Sequence, residues 1–150
     1  MLDLYAGTGS LGLEALSRGA RRAVFVEASR GPLEILGENV RRLGFGARSE
    51  IIRGNALSTP SFAEPGSLRF AVVFIDPPFE AMRSPEAAKR VLSRIREALE
   101  GPALEPGGCV VVRQPSRGGI EMPFRGAVER RYGRSAVWIL EKAAARPEDR

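Results

Sequence analysis

Short apolar, β-branched runs alternate with stretches of helical spacing along this chain, which points to an α/β fold: a mostly parallel sheet covered by helices on both faces. Strands are expected at residues 2–5, 23–27, 50–53, 70–76 and 109–113, and helices at 11–18, 32–43 and 85–99. Ser29 and Pro32 mark the start of the second helix, and Gly44 its end. Ser84-Pro85-Glu86 opens the third helix with a cap, a first-turn proline and an acid at the positive helix end. Its expected inward stripe is Ala88, Val91, Leu92, Ile95 and Leu99. Pro106, Gly107 and Gly108 predict a turn before residue 109, and the run 70–76 reads as a strand buried on both faces. Residues 127–132 and 136–141 predict an antiparallel pair about Gly133.

At 150 residues, 43% of them hydrophobic, the chain is expected to form a single domain, with residues 143–150 a frayed tail. It has no histidine, which excludes Ser-His-Asp and Cys-His catalysis and every His-ligated metal site. Cys109 is the only cysteine, so there is no intrachain disulfide. It starts an apolar strand and reads as core rather than as a nucleophile. The net charge of +5 favours an anionic partner. Lys89 and Lys142 are the only lysines among 23 basic residues, and the arginines that make up the rest either suit phosphate or reflect a GC-rich genome or a hot habitat. No apolar stretch is long enough to span a membrane and no signal peptide is visible, so a cytoplasmic location is expected.

Gly7-Thr8-Gly9-Ser10-Leu11-Gly12 forms G-x-G-x-x-G between a strand and a helix, where glycines allow a tight turn and helix N–H groups face a ligand. Glu27 ends the next strand, placed to accept hydrogen bonds from ribose hydroxyls. Together these features predict an adenosine-type ligand. Asp3 sets a carboxylate four residues before the first glycine, which would repel a pyrophosphate and attract the ammonium and sulfonium of S-adenosylmethionine.

Asp76-Pro77-Pro78-Phe79 follows the fourth strand. Two prolines fix the backbone and remove two N–H donors, leaving the Asp76 carboxylate and the Pro77 carbonyl as acceptors. Such an edge holds a planar amino group, and Phe79 offers a face on which a base can stack. The base must be reachable, which favours unpaired RNA.

The glycine turn resembles motif I of class I methyltransferases, and the proline stretch resembles motif IV of amino-group methyltransferases. The longer run from Asp3 to Ala20, including Gly-Leu-Glu-Ala-Leu-Ser-Arg-Gly-Ala, with Phe25-Val-Glu27 and Asp76-Pro-Pro-Phe79, resembles the bacterial 16S ribosomal RNA guanine-N2 methyltransferases. The resemblance extends to about Lys142. It implies a Rossmann-like sheet of order 3-2-1-4-5-7-6 with strand 7 antiparallel. It also implies S-adenosylmethionine as donor, S-adenosylhomocysteine as product, and a guanine amine in small-subunit rRNA, free or in an assembling subunit, as acceptor. Direct transfer from sulfonium to nitrogen calls for no metal. The implied cofactor residues are Asp3, Tyr5, Ala6, Gly7, Thr8, Gly9, Glu27, Ala28, Asn55 and Ala56, with Asn55 at the adenine edge or serving only its own turn. The implied catalytic residues are Asp76, Pro77, Pro78 and Phe79. Arg83, Arg113 and Arg117 are candidate RNA contacts, each with a plain surface role as the alternative. The family carries a segment before motif I that helps cover the cofactor, and Met1 stands within the first strand, so weakened cofactor binding is expected.

The competing readings are an adenine-N6 or cytosine-N4 methyltransferase, a noncatalytic S-adenosylmethionine- or RNA-binding module, and a dehydrogenase. Residue types leave open which nucleotide is modified and the oligomeric state.

Overall fold

A computed structural model describes residues 1–59, 68–82 and 84–144. Seven strands form one sheet of order β3-β2-β1-β4-β5-β7-β6, as expected. The chain divides into two compact units, Met1–Pro60 and Ser61–Arg150.

The first unit runs β1 (Leu2–Leu4), α1 (Ser10–Ser17), β2 (Ala23–Glu27), α2 (Arg30–Arg42) and β3 (Ser49–Arg53). β2 lies parallel to both β1 and β3, with Asp3 opposite Phe25 and Glu27 opposite Arg53. Ala23, Val24, Phe25 and Val26 are all buried, as an apolar run without alternation requires when both faces are covered. Leu13, Leu16, Leu36 and Val40 from the two helices close over Phe25. α2 ends in a Schellman motif. Gly44, at φ 69°, donates to the Arg41 carbonyl and Phe45 to that of Val40, and Phe45 packs on the core cluster. Its start differs from expectation. Ser29 is the N-cap residue, but its side chain makes no capping hydrogen bond, and its backbone N–H donates to Glu27.

The second unit contains β4 (Phe70–Ile75), α3 (Pro85–Glu100), β5 (Leu104–Pro115), β6 (Val128–Tyr132) and β7 (Ser135–Glu141). β4 and β5 are parallel, while β7 runs antiparallel to both β5 and β6. Gly133, at φ 56°, turns the β6–β7 hairpin as expected.

Three details of this unit correct the sequence reading. Pro106-Gly107-Gly108 is a bulge inside β5 rather than a turn before it: the register jumps from Phe70–Leu104 to Val72–Cys109. Hydrogen bonds explain why the strand continues, since Gly107 donates to the Lys142 carbonyl and Lys142 to that of Gly108. β4 is buried at Phe70, Val73 and Ile75 but only partly at Val72 and Phe74, the alternation of a strand with one face covered more fully. The inward face of α3 is Ala88, Val91, Arg94, Ile95 and Ala98, rotated away from Leu92 and Leu99, which are half-buried. Arg94 lies on that face because its long stem packs while its guanidinium reaches Glu97 at 2.9 Å. At the other end of α3 the sequence reading stands, for Ser84 accepts the Ala87 N–H. None of the described helices is long and apolar enough to cross a membrane.

Candidate functional site

In the first unit, the residues after β1 form a tight loop. Tyr5, Gly7 and Gly9 all have positive φ, at 65°, 56° and 93°. Such angles are open to glycine and strained for tyrosine. Ala6 prolongs the pairing with β2 by donating to the Val26 carbonyl, and Gly9 donates back to Ala6 at 2.8 Å. The three motif glycines have different reasons. Gly7 meets nothing within 4 Å of a notional Cβ and serves its φ alone. A Cβ on Gly9 would strike Leu36, and one on Gly12 would strike the Phe25 ring.

Two carboxylates hold this loop. Glu27 is half-buried and accepts the Gly7 N–H at 2.8 Å through Oε2 and the Ser29 N–H at 2.7 Å through Oε1. It ties the ends of β1 and β2 together, and each oxygen keeps a second lone pair. Asp3, at 1% exposure, accepts the Gly12 N–H at 3.0 Å through Oδ2 and so fixes the first turn of α1 from beneath. Asn39 in α2 adds a contact that sequence reasoning missed, donating to the Thr8 carbonyl at 3.0 Å. An asparagine one turn from a helix end carries no signal of a partner 31 residues away. Thr8 and Ala28 are exposed and Ala56 is buried. Asn55 follows β3 on the surface, and its Oδ1 accepts the Leu57 N–H at 2.9 Å. The self-turn considered for Asn55 is therefore present, with its Nδ2 donors still available for a ligand.

The second unit holds the proline stretch. Asp76 follows β4, Pro77 is buried, Pro78 is exposed, and Phe79 is half-buried at the head of a short 3-10 turn, Phe79–Met82. Ile75 pairs with Val112, so the next residues, Asp76 and Arg113, lie side by side. Arg113 Nε donates to Asp76 Oδ1 and Nη2 meets Oδ2, both at 2.7 Å, a two-pronged charge-assisted pair. The same guanidinium lies 6.0 Å from the Phe79 ring centroid. Of the three candidate RNA arginines, Arg113 is thus engaged with Asp76, and Arg83 lies outside the described residues.

Arg117 lines a groove of about 690 Å³ with Phe79, Pro115, Ser116, Gly118, Gly133 and Arg134. Two exposed arginines and an aromatic edge suit a stacked, phosphate-bearing strand. Arg134 was not foreseen, since a basic residue in a hairpin turn is an ordinary surface choice. Gln114 was also missed. Buried at 3% exposure, its amide accepts the Ile120 N–H and donates to the Ile120 carbonyl, both at 2.9 Å, holding the loop that forms one wall. Cys109 is half-buried, and burial first, then the Glu141 charge, raises its pKa above the ordinary 9.0, as suits a packing thiol.

Residues 1–141 match the family described as Conserved hypothetical protein 95. The chain belongs to that family. Among relatives, a Bacillus subtilis (strain 168) protein named "Putative rRNA methyltransferase YlbH" is 30% identical over 81% of this chain and 61% of its own length. The Ribosomal RNA small subunit methyltransferase D of Escherichia coli (strain K12) is 40% identical over 52% of this chain and 37% of its own. The chain therefore spans less than two thirds of these curated relatives. Among solved structures, an RNA methyltransferase from Salinibacter ruber in complex with S-adenosyl-L-homocysteine superposes with a TM-score of 0.64 at 17% identity, covering 99% of this chain and 83% of that one. At that identity it shows a shared Rossmann-like fold and nothing more.

Proposed function

We propose that this chain is an S-adenosylmethionine-dependent methyltransferase that modifies the exocyclic N2 amine of a guanine in small-subunit ribosomal RNA. The observation that carries the reading is the rigid acceptor edge Asp76-Pro77-Pro78-Phe79 at the end of β4, in a family whose relatives are named for rRNA methylation.

The first unit fits the donor. Gly7 has open space beside it, Glu27 keeps two lone pairs for ribose hydroxyls, and the Asn55 amide keeps donors for adenine N1. Asp3 and Glu27 make the surroundings acidic, which suits a cationic methionine and opposes a pyrophosphate. S-adenosylmethionine, when bound, supplies an electrophilic methyl on a sulfonium. The chain's own part is positioning. The Asp76 carboxylate and the Pro77 carbonyl accept hydrogens from the amine, turning its lone pair out of conjugation with the ring, while Phe79 stacks on the base. As the new C–N bond forms and the S–C bond breaks, the nitrogen becomes acidic, and Asp76 is in place to hold the departing proton. The groove with Arg117 and Arg134 would take flanking phosphates.

The test is calorimetric titration of S-adenosylmethionine and S-adenosylhomocysteine, followed by tritiated methyl transfer to small-subunit rRNA and to assembling subunits. The expected result is micromolar binding and N2-methylguanine in the digested RNA, lost in Asp76→Ala. A folded chain that binds neither compound, including when extended at its N-terminus with the family's preceding segment, would overturn the reading.

A further inference from the structure

The contact between Asp76 and Arg113 has a chemical counterpart. An arginine presents Nε–H and Nη2–H as two parallel donors on one edge of a planar guanidinium, and here they meet the two carboxylate oxygens at equal distances of 2.7 Å. The Watson–Crick edge of guanine presents N1–H and N2–H in the same fork, because N1, C2 and N2 are themselves part of a guanidine. Adenine and cytosine each set one amine donor beside a ring-nitrogen acceptor, which would face a carboxylate oxygen with no proton between them. Uracil has a lone N3–H flanked by carbonyls. Guanine is the one standard base that can replace the Arg113 fork atom for atom.

Little room exists for both partners together. The Asp76 side chain is only 16% exposed, and the fork already covers both of its oxygens. Arg113 is free to leave: its side chain is half exposed, at 50%, and its guanidinium lies beside Phe79, the surface on which a base would stack. We propose that Arg113 is an exchangeable internal stand-in for the substrate base, so that a base reaches Asp76 by displacing its fork, and only guanine carries the donors to do so. This inference rests on the methyl-acceptor role given above to Asp76 and adds to it a specificity-determining residue. Once displaced, Arg113 keeps its charge near the stacked base and the groove, where a phosphate can take it up.

The test is nitrogen-15 NMR of the arginine Nε–H groups in the intact chain, with the Arg113 signal assigned by its loss in Arg113→Lys. Guanosine, inosine, adenosine and cytidine 5′-monophosphates serve as probes, since they share one phosphate and differ in the base. Guanosine monophosphate is expected to move the Arg113 signal, inosine monophosphate (N1–H without the amine) at no less than tenfold higher concentration, and the other two not at all. In Arg113→Ala the affinity for guanosine monophosphate is expected to rise several-fold, because no fork has to leave. An Arg113 signal that stays in place with guanosine monophosphate up to its solubility limit, or that moves equally with all four, would make the pair a plain cross-strand ion pair. So would weaker guanosine monophosphate binding in Arg113→Ala. Selective displacement without methyl transfer to RNA would keep the exchange and remove the methyltransferase reading. Methyl transfer with Arg113 unmoved would do the reverse.

Discussion

Gly12 in α1 lies directly against Phe25 in β2, so closely that a single added methyl would enter the phenyl ring. That spacing lets α1 sit low on the sheet, and it brings the Gly12 N–H to Asp3. Packing and the proposed cofactor loop therefore share one residue.

Gly12→Ala should destabilise the chain by about 1–3 kcal/mol, the usual cost of forcing a methyl into a packed core, despite alanine's better helix propensity. Chemical denaturation followed by circular dichroism measures it. An unchanged or higher midpoint would mean that the Phe25 ring moves aside freely.

Glu27→Gln places an amide N–H against one of two backbone N–H groups, so the loop loses a charge-assisted bond worth about 1.5–3 kcal/mol. S-adenosylmethionine affinity should fall tenfold or more by calorimetry, and Glu27→Asp, which is too short to span both donors, should fall similarly. Retained affinity in both variants would remove Glu27 from the binding site.

Arg117→Ala with Arg134→Ala tests the groove. If each arginine meets one phosphate of an unpaired strand, the slope of log affinity against log salt should become shallower by roughly 0.7 per arginine. An unchanged slope would leave the two as solvated surface charges.

Cys109 titrates above its ordinary value because burial disfavours the thiolate. Alkylation should therefore be slow near neutral pH, accelerate only above about 9, and become rapid once the chain is unfolded. Below the unfolded thiol's pKa both states hold the proton, and as pH rises the unfolded state releases it first, so stability falls. Fast labelling of the folded chain at neutral pH would contradict this.

Much of this protein could be read without coordinates. The alternation of apolar runs and helical spacing predicted the strands and helices, and Gly44 and Ser84 marked true caps, because these are local effects decided by neighbours within a turn or two. The strand order came from likeness to a family rather than from periodicity. Pro106-Gly107-Gly108 misled because turn chemistry and bulge chemistry use the same residues, and only pairing with β4 and β7 separates them. The face of α3 was misplaced toward Leu92 and Leu99 because hydrophobicity alone does not show that Arg94 can bury its stem.

The residue types of the candidate site were legible for a similar reason. Gly7, Gly9 and Gly12 are demanded by backbone angles and close packing. The partners were not legible. That Glu27 grips Gly7, that Asn39 holds Thr8, that Gln114 fastens the loop at Ile120 and that Arg113 forks onto Asp76 all depend on strands and loops 6 to 37 residues apart in sequence. A hydrogen bond depends on distance and direction in space. Spacing along a chain supplies these within a helix or a turn, and only the folded sheet supplies them between elements.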